Sequence, residues 1–346
     1  VILIDALYIC QSGGKNLLDL LINQFEKESL LDDVTILIDN RIKEFYINRK
    51  FHNIKFEFLK GSEYARYKYY SKNKKTLSKV FCFANIPPPI RLDCKVITYF
   101  QNVLLLDKSL QKYFPLKNNL LFALKGYIIK QRRNKTDIWL VQTDHVKELI
   151  LKWINPPIDH VKIIPFYKDE TLYNAVEFDQ KENAFFFPAV GASHKNHIRL
   201  LQAWRNLTRT GKIKHNLHLT IDRNATNKLY LKISKLQAEG VPIINHGYLS
   251  KTEIEKLYSE CKFVIHPSLG ESFGLVLIEA LKNNCILIAP DLPYVNAIIK
   301  PNYFFNASNV DSIEKSIIKA ISEENCFSSE IFVKSELESL IKYILN

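Results

Sequence analysis

HPSLGESFGLVLIEA, residues 266–280, follows the apolar run 263–265 and carries two acids, Glu271 and Glu279, separated by seven residues. An apolar strand that ends in a polar loop and then opens into a helix near Gly274 is the repeating unit of a parallel α/β sheet. The first amides of such a helix, around Gly274, Leu275 and Val276, have no acceptor within the helix. Together with the helix dipole they favour a phosphate group. Glu271 lies in the loop before them. Glu279 lies in the first turns, where a ribose diol would satisfy a carboxylate that is costly to bury alone. The plain alternative is an ordinary strand–loop–helix crossover with solvated glutamates.

The same pattern extends in both directions. C-terminal strands are expected at 184–188, 216–220, 241–244, 263–266, 285–289 and 303–305. Helices are expected at 196–208, 226–237, 251–259, 275–281, 310–322 and 329–344. An earlier series puts strands at 1–5, 34–39, 54–58, 80–84, 95–99, 138–142 and 161–164. Its helices fall at 15–25, 64–70, 119–131 and 144–153. Near-continuous apolar strands separated by helices mean parallel sheets covered on both faces. A polar, aperiodic stretch between 156 and 182 separates the two series. Expected domains are therefore 1–165, 166–328 and a terminal helix, 329–346, that packs back toward the first domain. A ligand between two such units would meet loops from the C-terminal ends of both sheets.

Three further strand ends carry polar groups. FFFPAVGASHKNHIR, residues 185–199, puts Lys195 where a strand gives way to a helix. The dipole disfavours a cation at a helix start, so a lysine there suits a pyrophosphate. Gly13 and Gly14 follow the first strand and let a backbone pass close to a ligand. Gln101 and Asn102 follow the fifth strand, where amides suit sugar hydroxyls. Thr143 follows the sixth and equally suits a helix cap. His194 and His197 have no carboxylate or cysteine close by in sequence, so no metal site is expected.

The chain has 346 residues and a net charge of +12. Residues 1–165 hold 27 Lys and Arg against 16 Asp and Glu, so the charge is concentrated there. Basic clusters at 60–79, which includes Arg66, and at 125–135 suit an anionic partner such as a membrane surface or a lipid pyrophosphate. The six cysteines form no C-x-x-C pair and sit largely in apolar runs. Buried thiols in a reducing, cytoplasmic compartment fit that pattern, and the basic half suits peripheral contact with the inner face of the membrane. No apolar run approaches the roughly 20 residues that span a bilayer.

The block containing Glu271 and Glu279, with residues 280–294 after it and 187–197 before it, resembles family 4 of the retaining glycosyltransferases. These have the GT-B fold, two Rossmann-like domains facing a cleft. Residues 187–197 are similar to members that build bacterial surface polysaccharides such as O-antigen, capsule or lipopolysaccharide. The resemblance implies that Glu271 touches the donor sugar and Glu279 the ribose. Lys195 would bind the pyrophosphate, and the backbone of Phe273, Gly274, Leu275 and Val276 the sugar or phosphates. Gly13 and Gly14 would form a mobile loop beside the reacting centre, and Thr143 would face the cleft. An arginine that many relatives carry before the lysine is absent, and Gln101-Asn102 stands where many have a histidine. His266, His246 and Arg199 are the side chains that could stand in.

The expected reaction is metal-independent transfer, with retention, from a nucleotide-diphosphate sugar to a glycan or a lipid-pyrophosphate-linked oligosaccharide. The nucleotide sugar is a substrate rather than a resident cofactor. Other nucleotide-sugar chemistry, such as epimerisation, or a catalytically weak sugar-binding subunit would use the same site residues. Nucleic acid is not expected as a partner: no recognition motif is present, and Glu271 and Glu279 would repel a phosphate backbone.

Overall fold

The computed structural model describes residues 1–10, 12–27, 33–49, 54–169, 178–323 and 328–346. The chain divides into two compact units, Val1–Asp169 with Lys334–Asn346, and Glu170–Val333.

In the first unit the strands are β1 (Ile2–Asp5), β2 (Val34–Asp39), β3 (Ile54–Leu59), β4 (Lys79–Cys82), β5 (Lys95–Tyr99), β6 (Ile138–Val141) and β7 (Val161–Ile163). They form one parallel sheet in the order β3-β2-β1-β4-β5-β6-β7. β1, β2 and β4 are buried along their whole length, as a sheet covered on both faces requires. The order reverses between β1 and β4. In open α/β sheets ligands bind at such a point, outside the carboxyl ends of the strands.

The second unit repeats this plan. Its strands are β8 (Glu182–Phe187), β9 (Leu217–Leu219), β10 (Ile243–Asn245), β11 (Cys261–Ile265), β12 (Ile286–Pro290), β13 (Ile299–Lys300), β14 (Tyr303–Phe305) and β15 (Glu330–Ile331). The parallel sheet runs β10-β9-β8-β11-β12-β14 and reverses between β8 and β11. Phe185 of β8 stacks on Phe263 of β11, with ring centroids 4.5 Å apart, which locks the two strands on either side of that point. β13 and β15 form a separate antiparallel pair that the apolar pattern did not signal, being only two residues each.

The helix Leu337–Leu345 buries Leu340, Ile341 and Ile344. It is tied to the first unit by the Glu336 amide donating to the Pro165 carbonyl at 2.7 Å and by Tyr343, whose ring lies under Lys95 and Lys162.

The basic cluster at 60–79 is not wholly a surface. Lys60, Lys68 and Lys72 are exposed, but Arg66 and Lys79 are buried. Arg66 lies on the inner face of the helix Glu63–Asn73 and meets Asp5, the last residue of β1, at 2.8 Å. The five cysteines among the described residues are free, and Cys326 lies outside them. No helix among the described residues is long and apolar enough to cross a membrane.

Candidate functional site

The reversal between β8 and β11 decides where the second unit's polar residues meet. β8 ends at Phe187 and its loop reaches the short turn Ser193–Lys195 before the helix His197–Arg209. β11 ends at Ile265, and its loop runs to Gly274. Two sets of bonds pin these loops together. The Leu269 amide donates to the His194 carbonyl at 2.8 Å. Asn196, in the left-handed conformation at φ 63°, donates from Nδ2 to the carbonyls of Pro267 at 3.1 Å and Ala307 at 2.8 Å. Its Oδ1 accepts from Arg199 at 2.8 Å, so Arg199 is engaged in holding the turn.

The result is an ion pair between Lys195 Nζ and Glu271 Oε1 at 2.5 Å, with side chains 17% and 14% exposed. His266 Nε2 lies 3.8 Å from the same carboxylate oxygen. Burial alone would raise the Glu271 carboxyl. Lys195 overturns that, with help from His266 and His194, and holds it down to about 2. Burial pushes His266 down to about 3 and His194 to about 4, so both rings are neutral near pH 7. His266 is fully buried, and neither of its ring nitrogens has a hydrogen-bond partner; the buried Ser268 hydroxyl also lacks one. Buried polar atoms are nearly always paired, so a cluster of unpaired ones beside an ion pair sets this loop apart from the surrounding core.

The helix Leu275–Lys282 begins beside this pair. Gly274 is its N-cap at φ +71° and offers no side-chain cap to the first-turn amides of Leu275 and Val276. A Cβ at Gly274 would lie 3.0 Å from Leu277 Cδ1. Gly274→Ala is expected to lower stability by about 1–2 kcal/mol through the left-handed backbone alone. Thermal unfolding checks this, and an unchanged midpoint would contradict it. Phe273 is buried just before the cap. Glu279 is half-buried in the second turn, and its Oε2 accepts from the Tyr258 hydroxyl at 3.0 Å. Burial pushes its carboxyl upward, only partly offset by that bond. The sequence pointed to a ribose as its partner and gave no sign of Tyr258. His246 is likewise engaged, its Nε2 2.9 Å from His218 Nδ1 across β9 and β10.

In the first unit, Gly13 and Gly14 lie in the first turn of the helix Ser12–Lys27 rather than in a loop, and Gln11 falls outside the described residues. The helix outweighs its two glycines because it buries Leu17, Leu18, Leu21, Ile22 and Phe25. A Cβ on Gly14 would be 3.6 Å from Gln101 Oε1, so this turn abuts the loop after β5. The Gln101 side chain donates to the Phe83 carbonyl at 2.7 Å. Asn102 Oδ1 accepts from the Leu104 amide at 3.1 Å, and Thr143 Oγ1 caps its helix at the Val146 amide at 3.3 Å. A network absent from the sequence reading also sits in this unit. Tyr8, at φ 81°, donates to Glu63 Oε1 at 2.6 Å, and Arg132 donates to Glu63 Oε2 at 2.5 Å. Among the described residues no group of three or more His, Cys, Asp or Glu could hold a metal.

Comparison with known proteins supplies the rest. Residues 168–335 match the model of the family described as glycosyl transferases group 1. The chain is 27% identical over 184 residues to the O-antigen chain mannosyltransferase RfbU of Salmonella typhimurium, covering 51% of this chain and 49% of RfbU. It is 29% identical over 83 residues to the serotype-specific mannosyltransferase WbdA of Escherichia coli, covering 24% of this chain and 10% of WbdA. The chain therefore matches about half the length, or less, of these relatives. Among solved structures, Anabaena Alr3699/HepE in complex with UDP and glucose aligns with a TM-score of 0.69 at 11% identity, covering 100% of this chain and 95% of HepE. The lipopolysaccharide outer core galactosyltransferase WaaB aligns at 0.59 and 14% identity, covering 99% and 94%. These likenesses show the GT-B fold.

Proposed function

We propose that this chain, whose residues 168–335 match the model of the glycosyl transferases group 1 family, moves a sugar from a nucleoside-diphosphate sugar onto a glycan. The acceptor is a growing surface polysaccharide, carried on a lipid pyrophosphate and reached from the inner face of the membrane. The O-antigen chain mannosyltransferase RfbU, to which half of the chain is similar, supports a surface-polysaccharide acceptor. The observation that carries the reading is the Lys195–Glu271 pair beside the unpaired His266 and the helix start at Gly274.

Transfer breaks the bond between the anomeric carbon and the diphosphate oxygen. The electron pair leaves with the diphosphate, and the ring develops oxocarbenium character, as in glycoside hydrolysis. Lys195 and the amides of Leu275 and Val276 face that developing negative charge, so no metal ion is needed to balance it. Glu271 receives sugar hydroxyls, and His266 offers a neutral ring nitrogen to the same group. Glu279, with Tyr258, holds the ribose. The acceptor oxygen bonds the anomeric carbon on the face the diphosphate leaves. Its proton passes to a diphosphate oxygen, and configuration is retained.

A thermal-shift series with UDP, GDP and ADP and their sugar conjugates tests this. One diphosphate is expected to raise the unfolding midpoint, by about 2.7 kcal/mol of added stability at a hundred times its Kd. Its sugar conjugate should then yield a new glycosidic bond of the donor's configuration. Absence of any shift across the series, or release of sugar only to water, would end the reading.

A further inference from the structure

The helix Leu116–Gln131 is apolar on two opposite faces. One face is accounted for: Ile129 is buried, and Phe122 packs edge-on against Phe114 with ring centroids 5.2 Å apart. Gly126 lets the helix approach so closely that a Cβ there would be 3.0 Å from the Leu105 carbonyl. The other face has no such explanation. Leu116, Leu120, Leu124 and Tyr127 follow one another at spacings of three and four and so form a single ridge. They are 54–87% exposed, and Leu121 beside them is 49% exposed. A helix apolar all round is ordinarily covered on every side.

Charge decides what covers it. Residues 108–136 hold eight Lys and Arg and no Asp or Glu, with Asp107 and Asp137 bracketing the run. At about 100° per residue, Lys117 and Lys130 fall on the two flanks of the ridge, and Lys125 lies further round, past Leu121. All three are exposed. Long lysine stems run along apolar surface while the ammonium groups reach outward to phosphates. A second copy of the chain seated on this ridge would press like charges together. The Glu63–Arg132 ion pair ties the end of this helix to the start of the helix Glu63–Asn73, which presents exposed Tyr64, Tyr67, Lys68 and Lys72. Tyrosines and lysines are the residues that suit the headgroup layer. The helix has 16 residues, about 24 Å, and lysines on its flanks, so it suits lying in an interface rather than spanning one.

We infer that the ridge of Leu116, Leu120, Leu124 and Tyr127, flanked by Lys117 and Lys130, docks the chain in the plane of an anionic phospholipid surface. The inference deepens the membrane-linked acceptor of the proposed function and rests on that reading only for its purpose. The recognised chemistry is a phosphodiester headgroup above an acyl layer.

The full chain is co-sedimented with vesicles of phosphatidylglycerol and phosphatidylcholine, and with phosphatidylcholine alone. It should bind the mixed vesicles and not the neutral ones. The double variant Leu120→Glu/Leu124→Glu should weaken binding by at least about tenfold, because an interfacial helix holds through its apolar face. Lys117→Glu/Lys130→Glu should weaken it most at low salt. Both pairs are exposed, so the unfolding midpoint and the response to a nucleoside diphosphate should stay as in the parent. That separates failure here from failure of the transferase reading. Equal binding to both vesicle types, none to either, or undiminished binding by the Leu120→Glu/Leu124→Glu variant overturns the inference. So does a dimer in solution that this variant splits while vesicle affinity is lacking.

Discussion

Lys195→Ala is expected to lower sugar transfer by about 10²–10³-fold, the usual cost of removing one preorganised group that faces developing negative charge. It should also abolish the thermal shift produced by the nucleoside diphosphate. Its effect on stability has a separate signature. Glu271 is 14% exposed and held at about 2 by Lys195, against an ordinary value of 4.5. A carboxyl depressed on folding contributes stability above its unfolded pKa and loses it as pH falls toward the folded one. For the parent protein that window runs from about 4.5 down to about 2. In the Lys195→Ala variant the carboxylate is left beside the neutral His266 with burial pushing it upward. The variant should therefore be less stable near pH 7, and the gap should narrow as pH falls through the window. Adding Glu271→Gln should recover much of the stability without recovering transfer, since the amide removes the stranded charge but not the need for the cation. Chemical denaturation across pH, beside transfer assays, reads both effects. A Lys195→Ala variant with near-normal transfer and an intact diphosphate response would remove Lys195 from the site.

What could be read from residues alone follows the range of the interactions involved. The parallel strands were legible because each is a short apolar run whose neighbours in sequence are amphipathic, and β1, β4, β8 and β11 fall where those runs fall. The loops after β8 and β11 could be named for the same reason, as polar strings after buried strands. That they meet in a Lys195–Glu271 pair is a consequence of strand order, which no local pattern states. Glu279 with Tyr258, and Glu63 with Tyr8 and Arg132, join residues 21 to 69 positions apart and left no trace in the sequence. Gly13 and Gly14 misled in the opposite way. Glycine argues against a helix by about 1 kcal/mol each, and the buried leucines downstream outweighed it. The helix Leu116–Gln131 begins three residues before its expected start at 119, with Pro115 at its N-cap.

Arg66→Ala should destabilise the unit Val1–Asp169 by about 3–5 kcal/mol, the cost of stranding one member of a buried ion pair. Arg66 is 2% exposed and Asp5 1%. The guanidinium donates from Nε to Asp5 Oδ2 at 2.8 Å, from Nη1 to the Pro87 carbonyl at 2.8 Å and from Nη2 to the Ile86 carbonyl at 2.7 Å. Tyr70 adds a bond to the same Asp5 oxygen at 2.7 Å, and Asp5 Oδ1 accepts from the Leu7 amide at 3.2 Å. One side chain thus ties the end of β1 to the loop after β4, the two strands that flank the reversal in this sheet. Removing it leaves a buried carboxylate with only a hydroxyl and an amide, and two buried carbonyls with no donor from this residue. Arg66→Lys keeps the charge but not the planar fork that reaches three acceptors, so its loss should be intermediate. The chain has three tryptophans, Trp139 and Trp153 in this unit and Trp204 in the other. In a Trp204→Phe background, urea unfolding followed by fluorescence reports the first unit. A transition in the Arg66→Ala variant that coincides with the parent's would show that Asp5 finds water or another donor, and that the pair does not hold β1 to the loop after β4.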